Sequence, residues 1–287
     1  MKVLFFGSKG WIGQQFHEYL LKNAPDSKII ETNVRADNEK LVNDIVMAHN
    51  PTHIISFIGR VRGEGCDTAD YLEQEGKLVD NIRDNLYAPL VLANICVKNN
   101  IHLTYLGTGC IFNQDNPADF CYTEEDRPDF FGSSYSIVKG FTDRLMHLYS
   151  QSVLNLRIRM PIVNYDSPYN FITKITTYKK ICSNPNSITI LADMYPIILD
   201  MMIKKTTGTF NMTNPGLISH NEILELYKEL VNPSFVWDNF TIEEQNKILK
   251  SKRSNNYLDT TKITTLYPQL PTVKDSIRKC LSNYNKQ

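Results

Sequence analysis

Tyr135 and Lys139 stand four residues apart in SYSIVKGFTDRLMHLY, Ser134 to Tyr149, where Ile137, Phe141, Leu145 and Leu148 recur as one helical stripe. Four residues make one helical turn, so the phenol and the ammonium share a face. A tyrosine hands a proton to a carbonyl oxygen only if its phenolate is accessible near neutral pH, and a cation one turn away favours that form. Thr108 closes an upstream apolar run, Ile101 to Gly107, and offers a hydroxyl suited to hydrogen-bonding the same oxygen. The chemistry implied is protonation of a substrate carbonyl. A Tyr–Lys pair at this spacing is common on helix surfaces, so its weight depends on the elements around it.

Those elements begin at the first residues, MKVLFFGSKGWIGQQFHEYL. Val3 to Phe6 is a short apolar run cut off by glycine, as in a buried parallel strand. Gly7, Gly10 and Gly13 follow at three-residue spacing, and a helical pattern runs on through Ile12, Phe16 and Leu20. Glycines let the backbone turn tightly and approach a ligand, and the helix start that follows suits a pyrophosphate. Strand, glycine turn and helix form the context of a dinucleotide site. Ser27 to Ile30 is a second strand, after which Glu31, Asn33 and Arg35 fall where a cofactor's adenosine ribose is read. A carboxylate there favours a free 2′-hydroxyl, whereas a guanidinium matches a 2′-phosphate. The expectation is NADPH held through Arg35 and Lys9, with NADH as the alternative.

Further along, Glu39 to His49 reads as an amphipathic helix and His53 to Phe57 as a strand. Ile58-Gly59-Arg60 then passes beside the cofactor, followed by a glycine-punctuated loop, RVRGEG. Asp70 to Asn99 reads as a long helix, broken near Glu75-Gly76, with Val79, Ile82, Leu86, Leu90 and Leu92 facing inward; mid-helix Asn85 is by default a surface residue, with a buried helix kink or a polar relay as the alternatives. Residues 113–133 are a long polar loop, and Leu154 to Ile158 is another strand. This alternation predicts an α/β fold: a Rossmann-type, doubly wound parallel sheet over residues 1–160. From 161 to 287 the segments shorten and grow richer in Asn, Thr and Pro, predicting a smaller C-terminal substrate-binding lobe with some segments interleaved. Within it, Ser219-His220-Asn221-Glu222 opens a helix as a capping box. Further helices start near Thr241 and cover Val273 to Leu281.

Lys plus Arg and Asp plus Glu balance at 31 each, which argues against nucleic-acid and anionic-membrane partners. No apolar run approaches a membrane span and no secretory signal opens the chain. The six cysteines are scattered without a C-x-x-C pair, favouring reduced thiols in the cytoplasm over disulfides or a metal site.

The G-x-x-G-x-x-G spacing and Y-x-x-x-K resemble the extended branch of the short-chain dehydrogenase/reductase superfamily. A closer resemblance rests on GWIG (10–13), TGCIF (108–112), TEEDRP (123–128), YSIVKG (135–140), RIRMPI (157–162), NFITKI (170–175), TNPGLISHNEIL (213–224) and RSNNYLD (253–259). Together they look like the nucleotide-rhamnose synthase family, bifunctional 3,5-epimerase/4-keto-reductases making UDP-L-rhamnose, departing from it at Glu31 and around 58–66. The resemblance implies UDP-4-keto-6-deoxy-D-glucose as substrate, epimerised at C3 and C5 and then reduced at C4 with NADPH. It assigns Thr108, Tyr135 and Lys139 to reduction and Cys110 and Lys174 to proton exchange. It places Gly7, Lys9, Gly10, Trp11, Ile12, Gly13, Arg35, Tyr135 and Lys139 on the cofactor, and Cys110, Asn170, Lys174, Arg253 and Asn256 on the substrate. His220 is expected to be structural or substrate-lining. A homodimer through the helices near 70–99 and 134–150 is also implied. The alternatives are a GDP-fucose synthase-like or dTDP-4-keto-rhamnose reductase-like enzyme, or a non-catalytic regulatory subunit on the same fold. Cys110 argues against a pure reductase, and the intact set of four argues against a scaffold.

Overall fold

The structure, a computed structural model, describes residues 1–66, 68–113 and 120–285. Eight strands alternate with eleven α-helices among those residues. The strands are β1 (Lys2–Phe6), β2 (Lys28–Thr32), β3 (His53–Ser56), β4 (His102–Thr108), β5 (Val153–Ile158), β6 (Lys180–Ile181), β7 (Gly208–Asn211) and β8 (Asp238–Asn239). Six form one sheet in the order β2-β1-β3-β4-β5-β7, every pair parallel. The order reverses between β1 and β3, which opens a crevice at the carboxyl ends of those strands. β6 and β8 pair separately.

Side chains alternate across β1. Val3 and Phe5 join one apolar core group with α1 (Trp11–Asn23) and α7 (Leu191–Ile203). Leu4 and Phe6 join the other, with α2 (Glu39–His49), α4 (Ala88–Lys98) and Met146 of α5 (Ser134–His147). Both faces of the sheet are thereby covered, as an all-parallel sheet requires. A third group gathers Ile172, Ile175, Ile181, Ile223, Leu224, Val273 and Ile277 from the later chain. It is built by α6 (Phe171–Thr177), α8 (His220–Leu230) and α11 (Val273–Ser282). β7 and α7 lie beyond residue 160 yet complete the sheet layer. Two short helices, α9 (Ile242–Ile248) and α10 (Thr261–Leu266), finish the set. Ser219 and Glu222 form the capping box expected at α8, and Thr241 and Glu244 form a second one at α9.

The 70–99 segment breaks at Glu75-Gly76 as expected, but its two sides are not the regular helix expected. Ala69–Glu73 is a 3₁₀ turn that ends at Gln74, and α3 (Lys77–Ile82) starts afresh from Gly76 at φ 76°. α3 and α4 are joined by a π-helical turn, Arg83–Tyr87. Each change of winding rotates the faces, so one 3.6-residue period cannot be carried across. Val79 (69% exposed) and Ile82 therefore face outward, against expectation, while Asn81 and Asn85 are buried. Asn85 is no surface residue: its amide grips the backbone of Arg60 from both ends, N–H to Oδ1 at 2.8 Å and Nδ2 to the carbonyl at 2.7 Å. The π turn thus fixes the loop that leaves β3. On α5 the apolar stripe also turns out, with Phe141 and Leu148 exposed. The polar face, Ser136, Lys139, Thr142 and Asp143, packs inward. Residues 114–119 of the 113–133 loop lie outside the described residues. No helix among the described residues is long and apolar enough to cross a membrane, and no group of residues there could hold a metal ion.

Candidate active site

The crevice at the ends of β1 and β3 is a cleft of about 490 Å³. Gly7 (φ +85°) makes the turn, and a Cβ on it would lie 2.7 Å from the carbonyl carbon of Phe57. A Cβ on Gly13 would lie 2.0 Å from the Gly7 oxygen, so α1 packs on the turn only with glycine there. Gly10 is the N-cap of α1, whose first turn carries no acidic residue to oppose an anion. Gly7, Gly10 and Arg35 line the cleft, together with Arg60 and Arg62. Lys9 is exposed on the loop. Trp11 and Ile12 pack toward the core, Trp11 with its ring 5.9 Å from that of Tyr169.

Arg35 is already engaged by carboxylates. It donates to both oxygens of Asp37 (2.8 and 3.2 Å) and to Asp84 (2.7 Å), which hold its pKa above the ordinary value. Asp84 also accepts from Arg60 at 2.5 Å. Burial works to raise the Asp84 carboxyl, but the arginine hydrogen bonds outweigh it and the pKa falls. One carboxylate thus ties together two arginines on the rim of the cleft.

At the end of β4, the Thr108 hydroxyl stands close enough to the Tyr135 phenol to favour its ionised form. The same Thr108 oxygen accepts the amide N–H of Cys110 at 3.1 Å. Ser133 caps α5 by accepting from the Ser136 amide, which sets the helix start that carries Tyr135. Burial pushes the Tyr135 phenol up and Cys110 adds to the rise, with Thr108 pulling the other way. The phenol is therefore a protonated donor at neutral pH. The Lys139 ammonium donates to the hydroxyl of buried Tyr105. Burial lowers Lys139 to about 8, against the opposing pull of Asp143. Asp143 in turn holds Arg157 in a bidentate pair, 2.9 and 2.7 Å, and accepts from Asn155 at 2.8 Å. A fully buried ion pair thus lies beneath the lysine.

Cys110 is half-buried on the turn after β4. Lys174 is half-buried in the last turn of α6, a helix whose first residue, Phe171, donates from its N–H to the Pro161 carbonyl just after β5. Both therefore ride on segments leaving the carboxyl edge of the sheet. Asn170 and Asn256, expected on the substrate, are buried and engaged in the fold. Asn170 caps α6 and donates to the carbonyls of Val163 (3.0 Å) and Tyr165 (2.8 Å). Asn256 donates to the carbonyls of Gly109 (3.0 Å) and Phe112 (3.2 Å). Their NH₂ groups are occupied by backbone carbonyls, whereas Asn256 Oδ1 is buried without a partner among the described residues. Arg253 is partly exposed and donates to Asp70 at 3.2 Å. His220 packs against the Phe171 ring at 5.2 Å, and burial pushes it down to about 4.

Four buried residues here escaped sequence reasoning: Tyr105, Asp143, Arg157 and Arg159. A signal existed, since RIRM places two arginines at alternate positions of what otherwise reads as a buried strand, where charges are rare unless partnered.

No family model matches the chain. Protein L780 of Acanthamoeba polyphaga mimivirus is 53% identical over 290 residues, covering 100% of both chains. The crystal structure of that protein, described as a UDP-rhamnose synthase, superposes with a TM-score of 0.95 at 54% identity, covering 98% of this chain and 99% of that one. The bifunctional dTDP-4-dehydrorhamnose 3,5-epimerase/dTDP-4-dehydrorhamnose reductase of Arabidopsis thaliana is 39% identical over 289 residues, 99% of this chain and 93% of that protein. A trifunctional UDP-glucose 4,6-dehydratase/UDP-4-keto-6-deoxy-D-glucose 3,5-epimerase/UDP-4-keto-L-rhamnose-reductase of the same plant, RHM2, is 36% identical over 292 residues, and this chain spans 43% of its length. With such identity sustained along its whole length, the chain belongs to the nucleotide-rhamnose synthase family of bifunctional 3,5-epimerase/4-reductases, on the extended short-chain dehydrogenase/reductase fold.

Proposed function

We propose that the protein converts UDP-4-keto-6-deoxy-D-glucose to UDP-L-rhamnose, inverting C3 and C5 and then reducing C4, with NADPH as cofactor. The observation that carries this reading is the single turn Thr108–Cys110. The Thr108 hydroxyl accepts the Cys110 amide N–H and both residues act on the Tyr135 phenol, which supports a thiol and a proton donor converging on one place where a ketone fits.

The ketone acidifies the hydrogens on C3 and C5. Cys110 and Lys174 exchange those protons from opposite faces through an enolate, one as base and the other as acid. Tyr135, kept protonated by burial, then gives its proton to O4 while Thr108 holds that oxygen. Lys139, held by Tyr105, supplies positive charge near the phenol as it ionises. When bound, the nicotinamide supplies the hydride to C4. The glycine cradle of Gly7, Gly10 and Gly13 and the unopposed start of α1 fit its pyrophosphate. Arg35, with Arg60 beside it, suits a 2′-phosphate. We place the cofactor on residues 1–160 and the nucleotide sugar mainly on 161–287. The exposed apolar residues of α3 and α5, Val79, Ile82, Phe141 and Leu148, support a homodimer through these helices. Free thiols at all six cysteines fit a cytoplasmic setting.

The test is turnover in D₂O with NADPH and the UDP-, dTDP- and GDP-4-keto-6-deoxyhexoses. The UDP sugar should give L-rhamnose carrying deuterium at C3 and C5. Cys110→Ala should lose that label while still binding NADPH. Tyr135→Phe should keep exchanging C3 and C5 but reduce C4 about 10²-fold more slowly. Deuterated L-rhamnose formed by both variants at the wild-type rate would overturn the proposal.

A further inference from the structure

Arg159 follows β5 directly and is 1% exposed. All of its N–H groups meet neutral acceptors. Nε donates to the Ser187 carbonyl (3.3 Å), Nη1 to the Gly109 carbonyl (3.0 Å) and Ser254 Oγ (3.3 Å), and Nη2 to Asn186 Oδ1 (2.6 Å) and the Ser254 carbonyl (3.0 Å). Among the described residues no carboxylate lies within ion-pair distance of it. Arg157, two residues earlier and as deeply buried, holds Asp143 at 2.7 Å. A buried cation that is fully hydrogen-bonded but lacks an anion is costly to keep. Such a group is retained where an anion forms during function.

The position of that anion follows from the packing. The Arg159 stem lies on Gly109, where a Cβ would come within 2.9 Å of its Cγ and 3.1 Å of its Cδ. Gly109 sits between Thr108 and Cys110, and its carbonyl accepts from both Arg159 and Asn256. Burial pushes the guanidinium below its usual pKa, and Cys110 is the titratable group that pushes it back up. The nearby histidine is no rival cation, since burial, with Arg159 adding to it, holds His220 neutral.

We infer that Arg159 is the positioning residue of epimerisation: acting through Cys110, it supplies the fixed positive charge against which the Cys110 thiolate, and then the substrate enolate, carry their negative charge. The inference rests on the epimerase role proposed for Cys110. In the step, the thiolate takes the proton from C3 or C5. The C–H electron pair becomes the C=C bond, and the carbonyl electrons move onto O4. A proton from Lys174 then reaches the opposite face of the same carbon and the ketone re-forms. Thiolate and ammonium become thiol and amine, and exchange with solvent resets them. The negative charge never leaves the neighbourhood of the guanidinium.

Two variants and two partial reactions test this. Arg159→Gln removes the charge; Arg159→Lys keeps it and loses the fork. C3/C5 exchange is read as deuterium entering the UDP-4-keto sugar without NADPH. C4 reduction is read with already epimerised UDP-4-keto-L-rhamnose. Exchange should fall about 10²-fold in Arg159→Gln, the scale of losing one preorganised charge-stabilising group, and by less than about tenfold in Arg159→Lys. C4 reduction should stay within about threefold in both. Iodoacetamide labelling of Cys110 should slow in the Gln variant, with Cys66 and Cys121 as unchanged internal controls. Parallel loss of exchange and reduction in the Lys variant would make Arg159 merely structural and overturn the inference, whether or not the Gln variant folds. Wild-type exchange in Arg159→Gln would overturn it as well. If Cys110→Ala exchanges normally, the fault lies instead with the parent reading.

Discussion

Replacing Asp143 by Asn tests whether the buried pair beneath Lys139 is structural as well as electrostatic. The carboxylate takes both guanidinium donors of Arg157 at 2.9 and 2.7 Å and a third hydrogen bond from Asn155 at 2.8 Å. The Asn side chain turns one acceptor into an NH₂ group facing donors and leaves Arg157, at 0% exposure, without its anion. Removing one partner of such a pair costs about 3–5 kcal/mol. For the exposed Arg278–Glu229 pair, with side chains 52% and 55% exposed, solvent screens the attraction and Arg278→Ala should leave stability nearly unchanged. Over 287 residues, an unfolding entropy of about 2.1 cal/mol/K per residue sums to about 0.6 kcal/mol/K. Asp143→Asn should therefore melt about 5–8 °C lower and Arg278→Ala at nearly the wild-type temperature, by scanning calorimetry. Activity provides a second readout. Asp143 is the group that opposes the lowering of Lys139, so its loss should carry Lys139 further below about 8. The alkaline fall in C4 reduction should then begin at lower pH. An Asp143→Asn protein that melts with the wild type and keeps its pH profile would refute the reasoning.

Acid should destabilise the fold before its carboxylates titrate. Burial, then the neighbouring His102, push His53 from 6.5 down to about 4, and burial lowers His102 and His147 in the same direction. The unfolded chain binds the proton first as pH falls, so this stability is complete above about 6.5 and lost between there and about 4. Between pH 7 and pH 5 His53 alone should forfeit about 2 kcal/mol, measured by urea unfolding; equal stability at both would show that its ring is not buried neutral. The dimer proposed through α3 and α5 predicts that Val79→Glu with Phe141→Glu gives a monomer by light scattering while the fold persists. An unchanged mass would move the interface elsewhere.

The architecture was largely legible in the residues. β1, α2, β3, β5 and the capping box of α8 stand where period, glycine spacing and Ser/Glu placement put them, because these are local rules. The placement of the candidate residues was legible as types and spacings: Thr108 at a strand end, Cys110 two residues on, and Tyr135 opening a helix. The long helix near 70–99 was misread where winding changed, since a π turn carries no residue signature of its own. Asn85 shows its role only once Arg60 lies beside it.

What the sequence determined by itself is therefore the periodic part, the sheet, its crossover helices and the glycine turn, each set by neighbours within a few positions. The tertiary structure alone decided how charges are partnered. Lys139 meets Tyr105 across 34 positions, Asn256 meets Gly109 across 147, and Arg159 gathers oxygens from residues 109, 186, 187 and 254. Burial and hydrogen bonding depend on distance in space, and strand order brings together at the carboxyl edge of the sheet residues that no local period relates.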